Sequence, residues 1–79
     1  MDFTVKAISL CGGGGHVIFD CATPDGPRVI AMDWDELLNS DSIPHDLIML
    51  RIRSAVREGI IGKNVLELKL SLEGKTFKT

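Results

Sequence analysis

The residues able to do chemistry are few, and they lie in two stretches. Cys11, His16 and Cys21 surround a run of four glycines, Gly12 to Gly15, and the carboxylates of Asp33, Asp35, Glu36 and Asp41 crowd around Trp34. Nucleophilic catalysis needs a nucleophile, a base and an orienting group within reach of one another. Cys11 and His16 are the one local pair that can meet, across a hairpin whose tip is the glycine run. A glycine tip holds two groups too loosely for catalysis, and no Gly-x-Ser-x-Gly motif is present. Asp33 and Glu36 stand three apart in capping-box spacing, which explains both without acid–base work.

The glycine run also invites a phosphate-loop reading. Such a loop needs a strand, a glycine turn and then a helix whose first N–H groups face the anion. Here the β-type segment His16-Val-Ile-Phe-Asp20 follows instead, and Gly-Lys-Ser/Thr is absent. The run therefore reads as a mobile hairpin tip, since glycine tolerates wide or left-handed turns. A metal would have to gather Cys11, His16, Cys21 and His45, yet no Cys-x-x-Cys pair exists. His16 and Cys21 differ by five positions and so face opposite sides of a strand. The expectation is no enzyme, with no catalytic residue, cofactor or metal.

Binding has more to recommend it. At 100° per residue, Ile48, Met49, Ile52, Ala55 and Val56 form the core stripe of a helix. Leu47 and Leu50 fall off that stripe, with Arg53 and Arg57 beside Leu50 and Arg51 and Glu58 beside Leu47. Leucine anchors rimmed by arginine suit a protein interface, and Trp34 is a second possible anchor. The candidate interface is thus Leu47, Leu50, Arg53, Arg57 and Trp34, facing a second copy or another protein. An alternative is a nucleic-acid-binding accessory protein using Arg51, Arg53 and Arg57 against phosphates. It is disfavoured because no aromatic residue interleaves with them for base stacking. A third reading is an acidic inhibitor or decoy of a basic partner, presenting Asp33, Asp35, Glu36 and Asp41.

Charge is unevenly spread. Seven acids and one base between Asp20 and Asp46 give that segment −6, while seven bases and three acids from Leu47 onward give +4. Separated poles of this kind favour self-association or a charged partner.

The elements that must position these groups follow from pattern. Phe3 to Leu10 alternates as a half-buried strand, with Phe3, Val5 and Ala7 on one side. His16 to Ala22 is a second strand, Thr23 to Pro27 a turn, and Arg28 to Met32 a third strand. Asp33 caps a short helix burying Trp34, Leu37 and Leu38. The main helix is expected to open at Pro44, a residue favoured at the first helical position, and to end near Glu58 before Gly59. Val65 to Leu72 reads as the clearest strand, with Leu66, Leu68, Leu70 and Leu72 on one face. Residues 74–79 either pair as a short strand or fray.

The fold class is therefore α+β. A three-stranded N-terminal meander plus a C-terminal strand make a mostly antiparallel sheet, with one main helix on one face and a short helix before it. The chain of 79 residues makes one domain. With Cys11 at a hairpin tip and Cys21 near Lys6 on the facing strand, the sulfurs stand roughly 16 Å apart, too far for a disulfide. Two free thiols point to a reducing compartment, most simply a cytoplasm. No apolar stretch reaches the roughly 18–20 residues of a membrane span, and MDFTVKAISL lacks the basic and apolar regions of a signal peptide.

Overall fold

The computed structural model describes residues 1–59 and 62–79. Strands β1 (Asp2–Cys11), β2 (His16–Thr23) and β3 (Gly26–Asp33) form the antiparallel meander. They are followed by helices α1 (Trp34–Leu38), α2 (Leu47–Gly59) and α3 (Val65–Leu72), and by strand β4 (Thr76–Lys78). The sheet order is β3-β2-β1-β4, and every described pairing is antiparallel. The architecture is α+β.

One face of the sheet carries the core. Phe3, Val5, Ile8, Val17, Phe19, Cys21, Ile30 and Met32 pack against Trp34, Leu37, Ile48, Ile52, Val56, Leu68 and Leu72 in a single buried cluster. All three helices thus lie on that face. The other face, with Lys6, Ala7, Ser9, Asp20, Ala22, Val29 and Ala31, is open.

Local chemistry explains most boundaries. The three left-handed residues Gly12, Gly13 and Gly14, at φ 61°, 68° and 90°, close the first hairpin in a conformation that L side chains rarely adopt. The tip expected to be mobile is tied down, because the Trp34 indole N–H donates to the Gly14 carbonyl at 2.8 Å. Asp33 caps α1 by accepting from the Glu36 N–H at 2.7 Å, as its spacing foretells. In α2 the start differs from expectation. The helix opens at Leu47 rather than Pro44, because Asp46 accepts from the N–H groups of Ile48 and Met49 at 2.9 and 3.4 Å. A carboxylate on the first free N–H groups outcompetes proline's fixed φ as a starting signal.

Two departures in the strands matter more. Ala7 was placed with Phe3 and Val5, but it is exposed and Ile8 is buried. The pairing steps from Val5↔Cys21 to Ala7↔Asp20, so Lys6 is an extra residue on β1 and the side-chain alternation reverses beyond it. The Val65–Leu72 strand is a helix. Asn64 caps it by accepting from the Glu67 N–H at 3.2 Å, and Glu67 supplies the acid of a first turn. Leucine, glutamate and lysine are strong helix formers, and Val65 is the sole β-branched residue of the segment. The place of the closing strand is taken by Thr76–Lys78, paired with Asp2 to Thr4. There the Phe3 and Phe77 rings stack at 5.6 Å, and the Arg51 guanidinium lies 5.0 Å over the Phe77 ring. Residues 76–78 therefore pair rather than fray.

Candidate interaction surface

The five residues proposed from sequence separate into two groups. Leu47 is 61% exposed and Leu50 is half-buried, on the outer side of α2. Together with Arg51, Ser54, Lys78 and Thr79 they line a shallow hollow of about 280 Å³ between α2 and the end of β4. This part of the candidate surface faces solvent.

Arg53 and Trp34 are buried instead, and Arg57, though exposed, is bound to carbonyls of its own chain. Arg57 donates from Nε to the Leu37 carbonyl at 3.1 Å, and from Nη2 to the carbonyls of Glu36 at 3.1 Å and Ser40 at 2.8 Å. It thereby closes the C-terminal end of α1, where orphan carbonyls and the negative end of the helix dipole both favour a cation. Arg53 is buried and donates to the Ser42 carbonyl. Trp34 is buried under the hairpin tip. All three hold α1 and the loop 39–46 in place.

Sequence reading missed a second apolar surface. On α3, Leu68 and Leu72 enter the core, whereas Leu66 and Leu70 are 62% and 77% exposed. Spaced four apart, they form a ridge on the solvent side. Beside it Lys69 and Glu73 form an ion pair at 3.8 Å. Glu73 also accepts from the Ile8 N–H at 2.7 Å, just past the bulge, and so fixes the end of α3 to β1. The signal was present as leucine at 3.6-residue spacing, but four alternate leucines satisfy a strand equally well.

The acids and the lysines fall toward different edges of the sheet. The β3–α1 edge holds Asp25, Asp33, Asp35, Glu36 and Asp41, while α3 and β4 bring Lys69, Lys75 and Lys78 to the other edge. Within the acidic segment its one base, Arg28, forms an ion pair with Asp46, and Arg53 and Arg57 of the basic segment reach back to the carbonyls of Ser42, Glu36, Leu37 and Ser40. The hydrogen bond from Arg28, helped by the N–H groups of Ile48 and Met49, holds the Asp46 carboxyl below its usual range. A lowered carboxyl stabilises the fold above its unfolded value, and that contribution fades as pH falls through the lowered one.

The residues considered for chemistry are also placed. Cys11 pairs across the hairpin with His16, and His16 with Asp33, so all three share one row on the open sheet face. No side-chain hydrogen bond joins them among the described residues, and Asp33 is committed to capping α1. Among the described residues, no group of three or more metal-type side chains is placed to hold an ion. Both cysteines are free, Cys11 exposed and Cys21 buried.

Burial, assisted by the charge of Asp20, pushes the Cys21 thiol up to about 11. The raised value favours the neutral thiol. Its contribution to stability is therefore complete below the unfolded value of roughly 8.5 and is lost as pH climbs through 11. Urea unfolding across that range is expected to show a stability loss that Cys21→Val largely removes. An equal alkaline loss in the variant would show that other groups govern it. In the same protein a thiol-specific chromogenic disulfide should titrate Cys11 at once and Cys21 only on unfolding.

Among the described residues, no helix is long and apolar enough to cross a membrane. Comparison of the chain with family models, with curated proteins and with solved structures finds no match.

Proposed function

We propose that this protein is a non-enzymatic interaction module that associates with a second copy of itself through its exposed leucines. The observation that carries the reading is α3, a helix apolar on both sides with one side solvent-facing. A helix apolar all round is ordinarily buried all round, so the ridge of Leu66 and Leu70 calls for a covering surface. Leu47 and Leu50 on α2 add a second apolar area. The ridge also favours a self-complementary contact. Its flanking Lys69 and Glu73 neutralise one another, so two copies can approach through one patch about a two-fold axis without like-charge repulsion. Arg53 and Trp34 support the module from within, and Arg57 is exposed on the outer side of α2 beside Leu50.

Light scattering after size-exclusion chromatography, at low and high salt, tests this. The expected result is a dimer that survives high salt, because burial of leucine is not screened. Leu70→Glu is expected to give a folded monomer, since the side chain is exposed in the single copy and its change costs the fold little. A dimer that dissolves in salt would assign association to the charge poles instead. A monomer under both conditions would overturn the proposal.

A further inference from the structure

One cavity lies apart from the leucine surface. It lies between β3, the loop 39–46 and α2, measures about 520 Å³, and is bordered by Met32, Ile43, Met49 and Arg53. That volume is in the range of small-molecule sites. Its chemistry is mixed in a particular way. Met32 is buried and Met49 half-buried, giving a soft apolar wall, and Ile43 stands 76% exposed at the rim. Arg53, a residue only 8% exposed, brings a guanidinium.

The charge on Arg53 is under-compensated. Buried charges are normally paired, yet among the described residues no carboxylate lies within ion-pair distance of it, and its one hydrogen bond goes to the Ser42 carbonyl. A guanidinium has five N–H donors in a planar fork suited to a carboxylate. No buried side-chain nitrogen among the described residues lacks a partner, so the unused donors of Arg53 reach solvent, and Arg53 lines both this cavity and the shallower hollow beside Leu50, Ser54 and Arg57. Of the acids bordering the cavity, Asp46 is already engaged by Arg28. Glu36 is left as the one free carboxylate on the wall.

We infer that this cavity binds a small organic carboxylate, its carboxylate on Arg53 and its apolar body against Met32, Met49 and Ile43. The site is independent of self-association. Two sources of this chemistry differ by one group, a simple branched-chain acid and an apolar α-amino acid, whose ammonium would meet Glu36.

The chain has three methionines, and two of them, Met32 and Met49, border the cavity. Methyl spectra of the full chain, with Met1 as the internal control, therefore report on the site directly. The probes are 4-methylpentanoate, leucine and 4-methylpentan-1-ol. Saturable shifts of Met32 and Met49, but not Met1, are expected with one or both acids. The alcohol should bind about tenfold more weakly or worse, the scale of a charge-assisted hydrogen bond. Tighter binding of leucine assigns the ammonium to Glu36, and tighter binding of 4-methylpentanoate assigns the site to simple acids. Arg53→Lys should weaken the acid and leave the alcohol unchanged. Because Arg53 also holds Ser42, a second variant, Ile43→Glu, tests the site from its exposed rim. It should preserve the fold and weaken the acid by about tenfold through like-charge repulsion. Absence of saturable shifts in the tens of millimolar, or an alcohol that binds as well as the acids, overturns the inference.

Discussion

Phe19→Ala is expected to remove about 3–5 kcal/mol of stability, a large share of what a chain of this length has. Phe19 has no exposed surface and sits mid-strand in β2, directly between Ile8 on β1 and Ile30 on β3. Its ring is therefore the point where the three strands of the meander and the helical layer meet. Removing a buried phenylalanine ring costs about 3–5 kcal/mol, because the lost transfer energy is joined by the energy of the cavity left behind. At roughly 0.05–0.15 kcal/mol per residue, a chain of this length has only about 4–12 kcal/mol to lose. Urea titration followed by circular dichroism measures the difference. A loss under about 2 kcal/mol would mean that the helical layer collapses into the space, and that the core is less specifically packed than the burial of its members implies.

The meander was legible because two kinds of signal agreed. Alternation gave the strands, and Gly12 to Gly15 and Thr23 to Pro27 gave the reversals, with a chemistry that fits few other conformations. Thr23 donates to the Gly26 carbonyl at 2.7 Å and accepts from the Asp25 N–H at 3.2 Å, the kind of local bonding that turn-rich sequence foretells. The bulge at Lys6 was not legible. A lysine in a half-buried strand carries no mark of being one residue too many, and the reversal shows only in the pairing partner. Helix α2 was read correctly along its length but not at its start, where Asp46 two residues after Pro44 supplied the stronger signal.

The arginines show a different limit. Wheel geometry placed Arg53 and Arg57 beside Leu50, and that placement holds. It could not show that both side chains turn toward the loop after α1. Three-dimensional proximity of residues 11 to 21 positions apart decides this, and no periodicity encodes it. The consequence reaches the nucleic-acid reading. Arg51 lies over Phe77, Arg53 holds Ser42, and Arg57 closes α1, so each arginine of this row also has a partner within the chain.

The misread segment supplies the other large effect. A strand over Val65–Leu72 would place Leu66, Leu68, Leu70 and Leu72 on one face, and alanine at each would cost a similar amount. Helix α3 predicts an alternation instead. Leu68 and Leu72 are buried, so Leu68→Ala and Leu72→Ala are each expected to cost about 2–5 kcal/mol. Leu66 and Leu70 keep most of their surface exposed within one copy, so alanine there should cost about 0.5 kcal/mol or less in the monomer. Repeating the unfolding at several protein concentrations separates fold from association, because a dimer's stability depends on concentration and a monomer's does not. At Leu68 and Leu72 the losses should be the same at every concentration. At Leu66 and Leu70 a loss should emerge as concentration rises, in proportion to the ridge each variant removes from the contact. Equal costs at all four positions, independent of concentration, would return the segment to a sheet and remove the ridge on which self-association rests.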